Sequence, residues 1–237
     1  MYSQSARLYD VMYAGKDYAA AARYVRGAIE AVNPKAATLL DVACGTGQHL
    51  EHLRASYDVE GLDLNPDLLA AAHTRCPGVP LHHADMSSFS LPRRFDVITC
   101  LFGSVAYLKT ADRLTATVKR MASHLTDDGV LLIEPWFTPT AFWSDHLVAN
   151  FYDSPDLKLA WMYRHERDGD MAILDQHFLV GEPHGIESFT ERHELGLFSE
   201  EDWDAAFAAG GLLADFDDGG PFGRGLYKAL RLPGTRA

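Results

Sequence analysis

The 237-residue chain carries 21 basic and 33 acidic side chains, a formal net charge of −12, and 47% of its residues are hydrophobic. This apolar fraction is enough for a full core and excludes a disordered chain. The acidic balance excludes general binding to nucleic acid or to anionic membranes, because their phosphates require clustered lysine and arginine. It leaves room for one small anion held by one or two arginines.

The cysteines and the start of the chain predict where the protein resides. Cys44, Cys76 and Cys100 are far apart, odd in number and form no Cys-x-x-Cys pair, so we expect reduced thiols and a cytoplasmic location. The first residues lack a basic stretch followed by an apolar run, and no run of about 18 apolar residues occurs. We therefore expect neither a signal peptide nor a membrane span.

The first 135 residues alternate predicted helices and strands. Asp17 is expected to cap a first helix, Ala19–Val32, which Asn33-Pro34 ends, and Asn65-Pro66 opens a later helix. The other predicted helices are Gln48–Ala55 and Thr110–Leu125, the latter followed by a turn at Asp127-Asp128-Gly129, and the predicted strands are Thr38–Val42, Val59–Leu64, Leu81–His83, Phe95–Leu101 and Val130–Ile133. Such alternation predicts an α/β protein with an open, mostly parallel central sheet covered on both faces.

The pattern changes in the second half of the chain. Three strand-like runs, Leu157–His165, Met171–Val180 and Glu187–Leu197, are separated by turn residues and predict an antiparallel insert, roughly residues 151–197. We expect it to pack over one edge of the sheet. Ser199 should cap a helix that runs through Ala209, with two strands after it, Leu213–Phe216 and Leu226–Leu230. The insert is too short and too embedded to stand alone, so we expect residues 1–237 to form one domain.

The glycines after the first strand indicate a ligand site. Open parallel sheets bind ligands beyond the carboxyl ends of their strands, and Gly45 and Gly47 permit a sharp turn and a close approach there. Leu50 stands where the dinucleotide fingerprint has its third glycine. By itself this Gly-x-Gly is equally compatible with an ordinary strand–helix turn.

Three acidic positions make the ligand more specific. Asp41 precedes the glycine loop, Asp63 ends the second strand, and Asp85-Met86 follow the third. A carboxylate at the second strand end can accept hydrogen bonds from a ribose diol, while Asp85 could accept from an adenine amine and Met86 could cover the ring. A capping or turn role for Asp63 and a loop role for Asp85 are the alternatives. Together the three positions predict an adenosine-containing ligand.

Longer motifs extend this prediction to a family. The runs D-V-A-C-G-T-G (41–47), G-L-D-L-N (61–65), H-A-D-M (83–86) and F-D-V-I-T-C-L-F (95–102) resemble class I S-adenosylmethionine-dependent methyltransferases. Tyr2 together with L-Y-D (8–10), G-K-D-Y (15–18), S-V-A-Y-L (104–108), E-P-W (134–136) and G-G-P-F-G-R-G-L (219–226) resembles the dTDP-amino-sugar N-methyltransferases, over nearly the whole chain. The resemblance implies a Rossmann-like fold and S-adenosylmethionine-dependent N-methylation of a dTDP-linked deoxyamino sugar, with N,N-dimethylation expected, in antibiotic biosynthesis.

The resemblance also implies a set of site residues. The positions expected around S-adenosylmethionine are Tyr2, Asp41, Ala43, Gly45, Gly47, Asp63, Leu64, Asp85, Met86 and Leu101. The positions expected to face the nucleotide sugar are Tyr18, Phe102, Trp136, Arg224 and the insert. Close relatives have Glu where this chain has Asp63, and the shorter side chain is still expected to reach a ribose. Relatives with this insert tend to pair through it, which implies a homodimer.

Two residues are candidates for acting on the amine. Tyr107 stands where some relatives carry His and others Tyr, which leaves a base role at this position open. Glu134, followed by Trp136 at the end of the fifth strand, could orient the amine or take its proton through water, or it could have a structural role. Arg224 could fork onto a diphosphate or a nucleobase carbonyl, or it could be an ordinary surface arginine.

The aromatic residues near the proposed mouth have two interpretations. Tyr2, Tyr9, Tyr13, Tyr18 and Phe102 could surround a cation through their ring faces, or they could belong to an amphipathic N-terminus that packs on the core.

The sequence also leaves alternatives to this function. His49 with His52 and the pair His82-His83 do not complete a set of three or four ligands, so we expect no metal. The alternatives are a methyltransferase of another small amine or hydroxyl, a nicotinamide-dependent oxidoreductase, which Leu50 disfavours, and a non-catalytic module that binds S-adenosylmethionine.

Overall fold

A seven-stranded sheet forms the centre of the computed structural model, which describes residues 2–231. Its strands are β1 (Thr38–Val42), β2 (Asp58–Asp63), β3 (Leu81–His83), β4 (Phe95–Cys100), β5 (Leu125–Ile133), β11 (Leu212–Asp217) and β12 (Leu226–Arg231). Their spatial order is β11-β12-β5-β4-β1-β2-β3; β1 to β5 are parallel, and β12 is antiparallel to both β5 and β11. The predicted α/β class and mostly parallel sheet are confirmed.

Helices cover both faces of this sheet. They are α1 (Tyr9–Met12), α2 (Tyr18–Val32), α3 (Gln48–Leu53), α4 (Pro66–Arg75), α5 (Ala111–Ser123) and α6 (Glu200–Ala209), with 3-10 helices at Ser5–Leu8 and Ser104–Leu108. Helices α2, α3 and α4 pack on Leu39 and Leu132, whereas α5 and α6 pack on the adjacent Leu40 and Leu131. Successive strand residues point to opposite faces, so covering both faces requires continuously apolar strands. Within residues 2–231 no helix has the length and apolar composition to cross a membrane.

The helix starts follow the local sequence signals. Asp17 caps α2, its Oδ1 accepting the N–H of Ala20 at 2.8 Å. Asn65 caps α4, and Ser199 forms a reciprocal capping box with Asp202 at the start of α6. The predicted ends are less accurate, because α3 stops at Leu53 and α5 at Ser123.

Strand β5 starts at Leu125, before the predicted Val130. Phe95 pairs with Leu125 and Val97 with Val130, so the β4–β5 register shifts between these two pairs. The residues predicted to form a turn, 127–129, lie in this irregular part of the strand, with both aspartates exposed. A bulge therefore replaces the predicted turn.

The insert is a separate antiparallel sheet, as predicted. Its strands are β6 (Leu147–Asp153), β7 (Lys158–Arg164), β8 (Glu166–Asp168), β9 (Met171–Glu182) and β10 (Gly185–Gly196), in the order β10-β9-β7-β6 with β8 paired to β9. Strand β6 was not predicted, and the insert therefore begins before residue 151. This edge strand has no buried residue, so its sequence lacks the apolar alternation that marked the other strands.

The position of the insert differs from the prediction. Its apolar residues Trp161 and Phe178 pack on Leu8 and Met12 of the N-terminal segment. Other insert residues, such as Leu195, pack around Ala106 in the 3-10 helix that follows β4. The expectation that the insert covers an edge of the central sheet is wrong, because it lies over the carboxyl ends of the strands.

Candidate cofactor and acceptor site

The loop between β1 and α3 begins the site. Ala43, Gly45 and Gly47 all have positive φ, of 58°, 56° and 78°. A Cβ at Gly45 would meet no atom within 4 Å, whereas one at Gly47 would lie 3.2 Å from the Cβ of Ala72 in α4. Gly45 therefore opens the loop toward a cleft, and Gly47 lets α3 and α4 approach each other. Gly47, a predicted cofactor contact, does not line either cavity described below.

A cavity of about 460 Å³ lies beyond the ends of β1, β2 and β3. Its lining includes seven of the predicted cofactor residues: Tyr2, Ala43, Gly45, Asp63, Leu64, Asp85 and Met86. Tyr9, Ser104 and Tyr107 also line it, as do Arg192 and Glu194 of the insert. The structure thus brings together residues from three strand ends, the N-terminal segment and the 3-10 helix after β4.

Asp63 both holds the local backbone in place and lines the cleft. Its Oδ2 accepts the N–H of Gly45 and its Oδ1 that of Asn65, both at 2.8 Å. Burial raises the pKa of Asp63, and these backbone hydrogen bonds oppose the rise. Each carboxylate oxygen keeps a further lone pair, so the acid can fix the turn and still accept from a hydroxyl in the cleft.

Asp85 is held as a charged acceptor at another part of the cleft. Partial burial opposes ionisation, but hydrogen bonds from Ser87 and the nearby charge of Arg113 prevail and lower the pKa of Asp85.

A second, smaller cavity adjoins the first. It is lined by Tyr18, Asp41, His49, Leu101 and Phe102, and it shares four wall residues with the larger one: Tyr9, Ala43, Gly45 and Ser104. Its volume of about 20 Å³ holds one water-sized group, so a larger chain enters only when an aromatic side chain moves. Tyr18 and Phe102, predicted on the sugar side, thus lie beside the glycine loop.

Three buried polar atoms in this smaller cavity have no partner: Asp41 Oδ2, Tyr18 Oη and His49 Nε2. Asp41 Oδ1 accepts from Thr99 at 2.7 Å, and burial raises the pKa of Asp41 to about 7. Burial lowers the pKa of His49 to about 4. Buried polar groups without hydrogen-bond partners destabilise a folded protein, so a polar ligand that formed these hydrogen bonds would be bound favourably here. The small cavity adjoins the cleft, so the polar end of a ligand bound in the cleft would meet these atoms once an aromatic side chain moves.

The N-terminal segment, residues 2–13, covers this cleft with aromatic rings. Ring centroids lie 4.9 Å apart for Tyr2 and Tyr9, 4.8 Å for Tyr9 and Tyr13, and 4.9 Å for Tyr13 and Phe102. Tyr13 also packs on the insert core. Packing on the core is thus confirmed for Tyr13, whereas Tyr2 and Tyr9 line the cleft and their role beside a cation stays a prediction.

Polar contacts anchor the N-terminal segment at two ends. Asp10 accepts from Thr46 Oγ1 at 2.6 Å in the glycine loop and pairs with Arg75 at 2.5 Å in α4. Glu191 of the insert accepts the backbone N–H groups of Ser3, at 2.8 Å, and Ser5, at 3.0 Å. The segment therefore connects the central sheet to the insert across the cleft.

Glu134 does not occupy the position that its predicted role requires. It is 0% exposed, its Oε1 accepts from Arg224 at 2.7 Å, and its Oε2 accepts the N–H of Phe102 at 2.7 Å. Burial raises its pKa and the charge of Arg224 opposes the rise. Glu134 lines neither cavity, and both oxygens are engaged, so the structure contradicts its assignment as a group acting on the amine.

Arg224 is not a surface arginine. Its guanidinium carbon lies 4.9 Å from the ring centroid of Phe102 and 5.4 Å from that of Trp136. Its charge is matched by Glu134, and neither Arg224 nor Trp136 lines either cavity. These predicted substrate residues form a partly buried cluster behind Phe102, which is the member that reaches the smaller cavity.

Tyr107 lies in the wall of the larger cavity, in the 3-10 helix after β4. Burial raises the pKa of Tyr107 well above its ordinary value, so the phenol keeps its proton at neutral pH. It cannot act there as a phenolate base. Its Oη lies 2.7 Å from Nδ1 of His193 in β10.

Several residues at the site were not predicted. They include Ser104 and His49 in the cavity walls, Asp10 under the N-terminal segment, and the pair Glu191 and His193. The last pair left a signal, because alternate residues of a predicted strand share a face, and Glu191 and His193 interrupt an apolar face at that spacing. Across residues 2–231 no group of three metal-binding side chains occurs.

The topology, the glycine loop and the paired cavities are those of a class I S-adenosylmethionine-dependent methyltransferase. Residues 39–129 match the family model described as "Methyltransferase domain". The chain is 41% identical, over 98% of its length and 91% of the relative's, to the dTDP-3-amino-3,6-dideoxy-alpha-D-glucopyranose N,N-dimethyltransferase of Streptomyces fradiae. It is 38% identical, over 95% of its length and 92% of the relative's, to the dTDP-4-amino-2,3,4,6-tetradeoxy-D-glucose N,N-dimethyltransferase of Saccharopolyspora spinosa.

Solved structures agree with these relatives. DesVI of Streptomyces venezuelae superposes with a TM-score of 0.92 at 37% identity, over 98% of this chain and 100% of that one. S-adenosylmethionine-bound CalS10, an amino pentose methyltransferase of Micromonospora echinaspora, superposes with a TM-score of 0.88 at 39% identity, over 98% of both chains. The chain belongs to the family of dTDP-amino-sugar N,N-dimethyltransferases, and it is an S-adenosylmethionine-dependent N-methyltransferase. This membership excludes the nicotinamide oxidoreductase.

Proposed function

We propose that this enzyme methylates the amine of a dTDP-linked deoxyamino sugar twice, in the biosynthesis of an antibiotic. The observation that carries the proposal is the junction of the two cavities at Tyr9, Ala43, Gly45 and Ser104, beneath the insert. These four residues would hold the middle of a molecule whose adenosyl group lies in one cavity and whose amino-acid end lies in the other. The names of the relatives supply the class of acceptor.

We assign the cofactor contacts from this geometry. Asp63 would accept from the ribose, and Asp85 with Met86 would hold the adenine. Asp41 and Tyr18, whose buried oxygens lack partners, would meet the amino-acid end. Tyr18 thereby moves from the predicted substrate set to the cofactor set.

The chemistry makes modest demands on the protein. When bound, S-adenosylmethionine supplies a methyl group on a sulfonium, and the attacking amine must be neutral because a protonated amine has no lone pair. The positive charge passes from sulfur to nitrogen, so no charge is created and no oxyanion hole is required. The side chains therefore contribute mainly by positioning and by excluding water, which together can supply about 7–11 kcal/mol in the best cases. The rings of Tyr9, Tyr13 and Phe102 tolerate a cation beside their faces.

Mass spectrometry tests the reaction directly. The enzyme is incubated with S-adenosylmethionine and either a dTDP-3-amino or a dTDP-4-amino deoxy sugar, the two acceptor types named for the relatives. We expect one of them to gain two methyl masses, with a one-methyl species appearing first. Binding of dTDP alone, measured by calorimetry, is expected as well. Cofactor binding without dTDP binding and without either methylated product would contradict the proposal and favour another small acceptor.

We further propose a homodimer formed through the outer face of the insert. Phe151, Ala160 and Leu179 form one cross-strand row there, with Phe151 73% and Leu179 52% exposed. Exposed apolar rows of this kind are typical of interaction surfaces. Sedimentation should show a dimer that Phe151→Asp with Leu179→Asp converts to a monomer, while Leu213→Asp, on exposed strand β11 of the other sheet, should leave the mass unchanged. A monomeric wild type would contradict the assignment.

We also propose that residues 1–237 fold as one domain in the cytoplasm; residues 1 and 232–237 of this range lie outside the described residues. The insert shares its core with Leu8 and Met12, and the three cysteines are free and buried. A single urea transition followed by both fluorescence and circular dichroism is expected, and two separate transitions would contradict it. Fractionation of the producing cell tests the location, and recovery outside the cytoplasm would contradict it.

A further inference from the structure

We propose that His193 is a positioning residue that turns the hydroxyl of Tyr107 so that its oxygen can only accept a hydrogen bond from the acceptor amine. The inference rests on the proposed methylation of an amine in the cleft. It concerns three residues outside the cofactor contacts: Tyr107, His193 and Glu191.

The geometry places the pair between the cleft and the insert core. Tyr107 lines the larger cavity, one turn after Ser104, which lies at the junction of the two cavities. Its Oη is 2.7 Å from Nδ1 of His193, which is 1% exposed. The ring of Tyr2 packs 4.9 Å from the imidazole and closes the remaining side. Tyr107 and Tyr2, which both line the cavity, therefore separate His193 from the cleft, and of the two only Tyr107 forms a hydrogen bond with it.

Glu191 selects the tautomer of His193. Nε2 of His193 has no hydrogen-bond partner and lies 3.8 Å from Oε1 of Glu191, which is 6% exposed. Burial raises the pKa of Glu191, but the backbone N–H groups of Ser3 and Ser5 prevail and lower it, so the carboxylate is charged. A hydrogen on Nε2 faces this negative charge favourably, whereas a lone pair there would be repelled.

The selected tautomer fixes the direction of the next hydrogen bond. Burial lowers the pKa of His193 to about 4, so the ring is neutral and carries one hydrogen. With that hydrogen on Nε2, Nδ1 is an acceptor, and Tyr107 must donate to it. The phenol oxygen then has only lone pairs to offer to the cleft.

An oxygen that only accepts distinguishes the substrates from the final product. A neutral primary amine and its monomethyl derivative each have an N–H that can donate to Tyr107, which leaves the nitrogen lone pair free for the methyl group. Each transfer leaves the nitrogen as an ammonium, which then loses one proton to water. After the second transfer that proton is the last N–H, so the neutral dimethylated amine cannot donate to Tyr107 and loses this contact. The same residue can thus orient both substrates and favour release after the second transfer.

A double-mutant cycle separates positioning from mere packing. We expect His193→Leu to lower kcat on the amino sugar about 10- to 100-fold, the usual effect of removing an orienting partner, with little change in the affinity for S-adenosylmethionine. His193→Asn, whose side-chain oxygen can replace Nδ1, should recover most of the rate. In a Tyr107→Phe background, His193→Leu should cost nothing further. An equal loss of kcat in both backgrounds, or a parallel loss of cofactor affinity, would overturn the proposal.

A second measurement does not depend on activity. Nitrogen-15 NMR of the histidine rings, with His193→Asn used to assign the signal, should show a neutral ring with its hydrogen on Nε2. A hydrogen on Nδ1, or a charged ring at neutral pH, would refute the positioning role even in a fully active enzyme. If neither amino sugar is methylated but this tautomer is observed, the proposed acceptor is wrong and the orientation of Tyr107 stands.

Discussion

Replacing Glu134 with Gln tests whether the cluster behind Phe102 is held by a desolvated ion pair. Glu134 is 0% exposed and the side chain of Arg224 is 14% exposed, so the variant leaves a cation with little access to water. Removing one partner of a buried pair costs about 3–5 kcal/mol. The rings of Phe102 and Trp136, 4.9 and 5.4 Å from the guanidinium, offset part of this. We therefore expect a loss of about 2–3 kcal/mol in the free energy of unfolding.

Equilibrium urea unfolding followed by circular dichroism measures this loss. The matched controls are Arg224→Met and the double variant Glu134→Gln with Arg224→Met. Because the double variant leaves no unpaired charge, it should be more stable than the sum of the single losses predicts. A Glu134→Gln protein as stable as the wild type would refute the reasoning, and so would strictly additive losses.

Three further predictions concern single positions. The pKa of Asp41 is raised from 3.8 to about 7, so the stability that the protonated side chain provides is present below pH 4 and is lost as the pH rises to 7. Across this window the free energy of unfolding of Asp41→Asn, measured with urea, should rise relative to that of the wild type by up to about 4 kcal/mol. A pH-independent difference would contradict this. Asp63→Ala should weaken S-adenosylmethionine binding by about 1–3 kcal/mol in calorimetry, and unchanged affinity in a folded variant would remove the ribose assignment. Ser199→Ala should cost about 1 kcal/mol of unfolding free energy through the lost cap of α6, and no loss would contradict the capping box.

The parts of the site that the sequence predicts are those fixed by neighbouring residues. Gly45 follows a strand and must turn, and Asp63 and Asp85 follow the next two strands in order. In a parallel sheet the carboxyl ends of the strands lie on the same side, so these residues come together without any further information. That Asp63, Asp85 and Met86 line the cleft could therefore be predicted from strand order and spacing alone.

The parts that were mispredicted or missed depend on contacts between distant residues. Glu134 pairs with Arg224, 90 residues later, and no local pattern shows that the two side chains neutralise each other. Tyr107, in the 3-10 helix after β4, meets His193 of the insert, 86 residues later. The placement of the insert was likewise decided by apolar contacts with Leu8 and Met12, because strand patterns fix a face but not its partner.

The anchored N-terminal segment has a consequence for how two methyl groups reach one nitrogen. Each cofactor molecule brings a single methyl group, so the spent molecule must be exchanged between the two transfers. Tyr2 and Tyr9 form part of the wall around it, and Asp10 and Glu191 hold that wall in place. With S-adenosylmethionine bound in this cavity as proposed, exchange past this wall would require the N-terminal segment to detach between the two transfers. Weakening the contacts of Asp10 would speed cofactor exchange, but it would also let the singly methylated sugar dissociate sooner. The ratio of singly to doubly methylated sugar therefore reports the competition between cofactor exchange and sugar dissociation.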